Sequence, residues 1–268
     1  MRNLRLGWGL ILSLCLLVMG CSKDDDDSDQ DSQSGHRSFI ICQGAWGLTN
    51  GSISIYDWDT KTVRSVQQVG DVLNQGILDG STLLLASYGN NSLVLFDINQ
   101  ERVARNILLD NAGPQAVGLA ENKLYISADN SDSILILNRT SLEKIKSLPA
   151  GDDPGTVSVY NQKVFIANCD YDHYDAESYT SYYNQGTVTV VDAVADTIAA
   201  TIKVGMNPSA LLTEQDLIYV LCTGDYGSKN SWIYRINPTS LKVIDSLNLE
   251  TTGVTKITSD RQGNLYSV

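Results

Sequence analysis

The residues best suited to chemistry gather in one stretch, Asp170-Tyr171-Asp172-His173-Tyr174-Asp175-Ala176-Glu177-Ser178-Tyr179, followed by Thr180 to Gln185. Carboxylate oxygens suit hard cations, and an imidazole can complete a transition-metal shell. The spacing matches no metal-binding loop, so a solvated acidic loop is expected, with no metal and no cofactor assigned. Five of the thirteen tyrosines fall in the same stretch. Tyr offers a broad amphipathic surface with little rotamer entropy to lose, which suits recognition of a large flat or sugar-like ligand. The competing expectation is a polar loop whose tyrosines pack on one another.

Catalysis has little material. The chain has two histidines, His36 and His173, and His36 lies in a polar stretch, so Ser-His-Asp and multi-His arrangements are not assembled. Paired carboxylates can act as acid and base, as in glycosidases, but no pair stands out. No Gly-rich phosphate loop joins a strand to a helix. Cys42, Cys169 and Cys222 end or follow apolar runs without CxxC spacing and are expected to be small buried hydrophobes. No catalytic residue is assigned.

The elements that must position these residues repeat. Pro114, Pro154 and Pro208 each lie ten residues before an apolar run (Leu124-Tyr125-Ile126, Val164-Phe165-Ile166, Ile218-Tyr219-Val220), and Asn74 takes the same place before Leu84. Each unit continues to an alternating run ending at Asp57, Asp97, Asn138, Asp192 or Asn237, then a polar turn and a last strand such as Thr201-Ile202-Lys203-Val204. Four short antiparallel strands every 40 to 45 residues predict an all-β fold, a β-propeller of four-stranded antiparallel blades. Five to six repeats are present; the first begins at its second strand and the sixth stops in the same strand, so either Val254 to Ser259 closes an unusual five-bladed ring or, the favoured expectation, the chain is part of a ring of six or seven blades.

Length variation locates the variable face. From the Asp or Asn to the next Pro position the spacing is 17, 17, 16 and 16 residues, whereas from the start of the second strand to that anchor it is 18, 13, 14, 28 and 19. Nearly all the variation therefore falls between the second and third strands, on the face where each blade also hands over to the next. Insertions confined to one face mark a binding surface. The candidate ligand-binding residues are Trp46, Tyr88, Asn90, Asn91, Asp129, Asn130, Tyr171, His173, Tyr174, Tyr182, Tyr183, Asp225 and Tyr226.

Arg2 and Arg5 precede an apolar run from Leu6 to Met19, too short to span a membrane and laid out as an export signal. Leu17-Val18-Met19-Gly20-Cys21 resembles a bacterial lipobox, which makes residues 1–20 a helical lipoprotein signal peptide and Cys21 the lipidation site. Residues 21–37, with the run Asp24 to Asp27, form an acidic disordered tether, and residues 38–268 form the propeller. A net charge of -12 excludes nucleic acid as a partner.

Gly186-Thr187-Val188-Thr189-Val190-Val191-Asp192, with Thr201-Ile202-Lys203-Val204-Gly205 and Pro208, resembles the YVTN-type, or YncE-like, propeller repeat; the namesake tetrapeptide survives only in degraded form, as Phe165-Ile166-Ala167-Asn168 and Tyr219-Val220-Leu221-Cys222. The opening Phe39-Ile40-Ile41-Cys42-Gln43-Gly44-Ala45-Trp46-Gly47 resembles the first blade of Bacteroidetes surface lipoproteins of this type, and the Lys and acids after Cys21 resemble their surface-export signal. The resemblance implies a non-enzymatic protein on the outer face of the outer membrane, held by its lipid anchor alone. It would capture an extracellular small molecule or glycan, a corrinoid such as cobalamin among the ligands, beside a TonB-dependent transporter. His173 would then be a candidate cobalt ligand. A propeller hydrolase or lyase using carboxylates and a divalent cation, and an adhesion module for glycan or protein, remain the alternatives.

Overall fold

Each repeat is closed by the Asp or Asn that ends its third strand. Asp57, Asp97, Asn138, Asp192 and Asn237 each accept, on one side-chain oxygen, the N–H groups two and three residues on, at 2.8–3.0 Å. Four residues after each anchor the backbone turns left-handed, at Lys61, Glu101, Leu142, Asp196 and Leu241. The short polar side chain thus stands in for a turn hydrogen bond and launches the outermost strand. Between the first and second strands the turns are tighter. Glu121-Asn122, Asn161-Gln162 and Gln215-Asp216 each hold two successive left-handed residues, the geometry whose twist matches that of the flanking strands.

The structure is a computed structural model that describes residues 16–18, 36–260 and 262–268. The first sheet runs from the inside outward as β1 (Leu16–Val18), β2 (Arg37–Cys42), β3 (Gly51–Asp57) and β4 (Thr62–Gly70). The second comprises β5 (Leu73–Asp79), β6 (Thr82–Ser87), β7 (Ser92–Asp97) and β8 (Arg102–Leu108). The third comprises β9 (Pro114–Ala120), β10 (Lys123–Ala128), β11 (Ser133–Asn138) and β12 (Lys144–Pro149). In the fourth, β13 (Pro154–Tyr160), β14 (Lys163–Asn168), β17 (Thr187–Asp192) and β18 (Thr197–Lys203) form the blade, and the hairpin β15 (Tyr171–Asp175) with β16 (Thr180–Tyr183) is inserted into it. The fifth holds β19 (Pro208–Glu214), β20 (Leu217–Cys222), β21 (Trp232–Asn237) and β22 (Lys242–Asn248); β23 (Ile257–Ser259) and β24 (Leu265–Ser267) pair beyond it. All pairs are antiparallel, as expected.

The second strands read as continuous apolar runs because both their faces are covered by adjacent sheets, whereas outer strands such as β12 are largely exposed. Five apolar clusters fill the gaps between successive sheets. Phe165, Val188, Val190, Ile218, Val220 and Ile236 form the one that welds the fourth blade to the fifth. Polar ties cross the same gaps: Arg37 and Arg64 to Glu101, Arg139 to Asp79, Tyr160 to Asp216, and Ser259 to Glu214. Asp196 accepts both the Lys123 ammonium and the Tyr125 hydroxyl at 2.6 Å. One contact skips a blade. The Gln75 amide on β5 donates to the Val157 carbonyl on β13 at 3.0 Å and accepts its N–H at 3.4 Å.

Four sequence expectations change. Leu73, not Asn74, occupies the proline position: it pairs with Ser87 as Pro114, Pro154 and Pro208 pair with Ala128, Asn168 and Cys222. The apolar run of β6 begins at Leu83, one residue before Leu84. Leu16–Val18, expected within a helical leader, is extended and pairs with Phe39–Ile41, supplying backbone partners to an edge that would otherwise have none. The rest of the leader, Cys21 and most of the tether lie outside the described residues. Arg37 belongs to β2, and His36 is tied to the fold through its carbonyl, which accepts the Trp58 N–H at 2.8 Å. Finally, among the described residues a single short 3-10 turn, Asp129–Ser131, adds to the expected all-strand content.

Candidate functional site

The connections between second and third strands and those between blades emerge together on one face. The inserted stretch there is a hairpin, not a loop. Tyr171 pairs with Tyr183 and His173 with Tyr182 across it. The base is tied down by Asn184, whose N–H reaches the Asp170 carbonyl at 2.8 Å and whose amide reaches its carboxylate at 3.0 Å, and by the Tyr171 N–H, which donates to Asp153 at 2.7 Å. Its tyrosines do pack on neighbours. The Tyr171 and Tyr183 rings meet edge-on at 5.4 Å, and His173 stacks on Tyr182 at 4.6 Å and 9°. Tyr183 also reaches Tyr226 of the fifth blade at 6.4 Å. Even so, Tyr174, Tyr179, Tyr182 and Tyr226 remain exposed.

On the other side of the face, Trp46 stands 68% exposed with its ring 5.4 Å from that of Tyr88. Its loop is held by Asn50, which accepts the Ala45 N–H at 2.7 Å, and by buried Asp71, which accepts the Gly47 N–H. The Tyr88 hydroxyl donates to Asn130 at 3.2 Å. A line of amides that sequence reasoning missed continues from here: Gln43 donates to Asn74 at 3.2 Å, Asn74 to Gln115 at 2.7 Å and Gln115 to Asp129 at 3.3 Å. Asn74 and Gln115 both follow the proline position, so the repeat register points to them once it is corrected.

Asp129 and Asp153 carry the raised carboxyls of this face. Burial pushes both carboxyls above the usual range. For Asp129 a hydrogen bond from Gln115 opposes this while the neighbouring Asp132 adds to it; for Asp153 the Tyr171 N–H opposes it and the charges of Asp129, Asp132 and Asp152 add. Burial and the same two acids push the Cys169 thiol up to about 12, which leaves it neutral and unsuited to nucleophilic work. An acid whose folded value is raised binds its proton more tightly when folded, so stability falls as pH rises from the unfolded value through the folded one. Asp129→Asn is therefore expected to raise the melting temperature at neutral pH and to change it little near pH ~4, the unfolded carboxylate range; melts at the two pH values check this.

Three candidates are turn residues. Asn90 accepts the Asp71 N–H at 2.6 Å, and Asn91 accepts the Gly113 N–H at 2.8 Å while its own backbone is left-handed. Asp225 accepts the N–H groups of Gly227, Ser228 and Lys229 at 2.8–2.9 Å. Although partial burial opposes its ionisation, the Ser228 hydroxyl and these N–H groups outweigh it and hold Asp225 at about 2. Tyr179, Thr180 and Tyr182 from the hairpin face Asp225, Tyr226, Gly227 and Ser228 across a cleft of about 520 Å³. Tyr179, Thr180 and Ser228, together with Asp153 and Gln115, were not among the expected site residues.

No family model matches the chain. It is 26% identical over 218 residues to Antigen Lp49 of Leptospira interrogans serogroup Icterohaemorrhagiae serovar copenhageni, covering 74% of this chain and 45% of that protein. The chain thus spans less than half the length of that relative. Among solved structures it is similar to hydrazine synthase of Kuenenia stuttgartiensis (TM-score 0.66, 16% identity, 86% of this chain and 70% of that one). It is also similar to the WD40 domain of Neurospora crassa Pan2 (TM-score 0.61, 12% identity, 84% and 67%). At such identities the likeness speaks for the fold alone. With five four-stranded antiparallel sheets packed side by side and these neighbours, the chain is a β-propeller.

Proposed function

We propose that this propeller is a non-enzymatic capture protein that binds an extracellular ligand on its variable-loop face. The observation that carries the reading is the gathering of exposed aromatic side chains there: Trp46 at one side and Tyr174, Tyr179, Tyr182 and Tyr226 at the other, on loops pinned by local hydrogen bonds. Rigid aromatic anchors beside adaptable amides suit binding with little entropy lost. Resemblance to the YncE-like surface lipoproteins supports the finer version, in which Cys21 carries the lipid anchor, the face looks outward from the outer membrane, and a corrinoid is passed to a transporter. Calorimetric titration of the full chain against cyanocobalamin and neutral glycans tests it. Saturable binding without turnover is expected, weakened at least tenfold by combined Tyr171, Tyr174, Tyr182 and Tyr183 to Ala changes, since stacking contacts contribute about 0.5–1.5 kcal/mol each. Absence of binding to either ligand class by the folded chain would refute this version.

A second reading has one observation in its favour. Asp129 and Asp153 are two carboxyls raised by burial, the charge of Asp129 adding to the rise at Asp153, an arrangement suited to acid–base chemistry. Turnover abolished by Asp129→Asn and Asp153→Asn would select it.

A further inference from the structure

The acidity of the folded chain is concentrated on one face. The connections that emerge with the hairpin (residues 43–50, 71–72, 88–91, 109–113, 129–132, 150–153, 169–186, 204–207, 223–231 and 249–256) hold twelve carboxylates against two lysines, Lys229 and Lys256. The other described residues from 36 onward hold thirteen carboxylates against thirteen Lys and Arg side chains. Moving Lys203, at the end of β18, to the first group changes the balance by one. Several of the second group's charges are paired across blades, as in Arg64–Glu101, Arg139–Asp79 and Lys123–Asp196. The loop face therefore presents a field of one sign, which repels anions and concentrates cations.

The form of the acidity separates kinds of cation. Among the described residues no three His, Cys, Asp or Glu side chains are grouped to hold a metal ion. The carboxylates are dispersed, and Asp225, the one lining the tyrosine cleft, has its oxygens committed to the N–H groups of its own turn and to the Ser228 hydroxyl. Such a carboxylate supplies charge at a distance without inner coordination. The cleft walls are instead tyrosine rings. Tyr182 is held by its stack with His173, and Tyr226 is steadied by Tyr183. An aromatic face attracts a weakly hydrated cation through its quadrupole and gives an alkyl group a surface to cover.

We propose that the cleft between the hairpin and the fifth blade is a subsite for the substituted ammonium group of a small organic cation, seated against Tyr182 and Tyr226 in the field of Asp225. This rests on the capture reading and names the chemical class of its ligand. The test is titration of the full chain with choline and with 3,3-dimethylbutan-1-ol, its uncharged isostere, followed by calorimetry and tyrosine fluorescence at low and high salt. Choline is expected to bind about five- to thirty-fold more tightly than the alcohol, the range of a partly desolvated cation–π contact, and to weaken with salt. Tyr182→Ala and Tyr226→Ala should each remove most of that preference, while Tyr266→Ala, which changes an exposed tyrosine of β24 that does not line the cleft, should leave it. Circular dichroism confirms that each variant is folded. Equal affinity for choline and the alcohol, or a preference untouched by the cleft variants, overturns the proposal. If choline fails to bind while cyanocobalamin or a glycan is held on the loop face, the cation subsite is refuted and the capture reading stands; if no ligand is held there, both fall.

Discussion

Asp196→Ala is expected to destabilise the protein by about 3 kcal/mol, because breaking a largely buried ion pair takes from the Lys123 ammonium the carboxylate it touches. Asp196 ends the turn after β17 in a left-handed conformation and accepts the Lys123 ammonium and the Tyr125 hydroxyl, both from the adjacent blade, at 2.6 Å. Lys123 and Asp196 are each only about one-sixth exposed, at 15% and 16%, and Tyr125 is fully buried. Burial and then the Asp196 contact hold the Tyr125 hydroxyl well above its ordinary range, so it stays a donor throughout. Alanine removes the carboxylate acceptor of both donors, leaving them the Ala193 carbonyl at 2.8 and 3.2 Å, and also strains a positive φ. Asn keeps an acceptor oxygen and tolerates that φ, so Asp196→Asn should cost clearly less. At about 2–4 °C per kcal/mol for a chain of this size, the Ala variant should melt roughly 6–12 °C lower. Equal melting temperatures for Ala and Asn would show that the interblade acceptor contributes little.

The second large effect is expected at Phe165. Its ring is fully buried on β14 in the apolar cluster that joins the fourth blade to the fifth, with Val188, Val190, Ile218 and Val220 around it. Phe165→Ala should cost about 3–5 kcal/mol, from lost transfer energy and from a cavity walled by branched side chains that paired strands hold in place. The same gap is tight elsewhere. A Cβ on Gly186 would stand 2.2 Å from the Pro208 ring and 2.6 Å from the Gly205 carbonyl. Urea titration of Phe165→Ala, Phe165→Leu and the parent should order their midpoints with Leu between the other two. A Phe165→Ala midpoint equal to the parent's would mean that the two blades do not depend on this weld.

These effects bear on why the fold was legible in the sequence and the site only in part. Asp57, Asp97, Asn138, Asp192 and Asn237 announce themselves because their work is local: one side-chain oxygen serving N–H groups two and three residues on. The proline register slipped at Asn74 because Leu83, Leu84 and Leu85 are interchangeable to the eye, and only cross-strand pairing separates them. Asn90 and Asn91 look like free loop amides in a sequence, yet both are consumed by backbone N–H groups from neighbouring connections. Asp153 gives no signal at all. Its burial and its neighbour Asp129 come from different blades, so its character exists only once the sheets are side by side. The tyrosine-rich stretch was recognised by composition, but its hairpin was hidden, because alternation of Tyr with Asp on an exposed surface carries no apolar periodicity.

The Gln75 amide that reaches over the third blade to Val157 changes how the molecule should come apart. In an array where each unit touches only its two neighbours, order can be lost from one end, unit by unit, and the melt is broad. A brace from the second blade to the fourth turns that segment into a hoop. The third blade cannot leave without opening a contact to which it contributes nothing, so fraying at the ends stops there and the middle three blades dissolve in a single step.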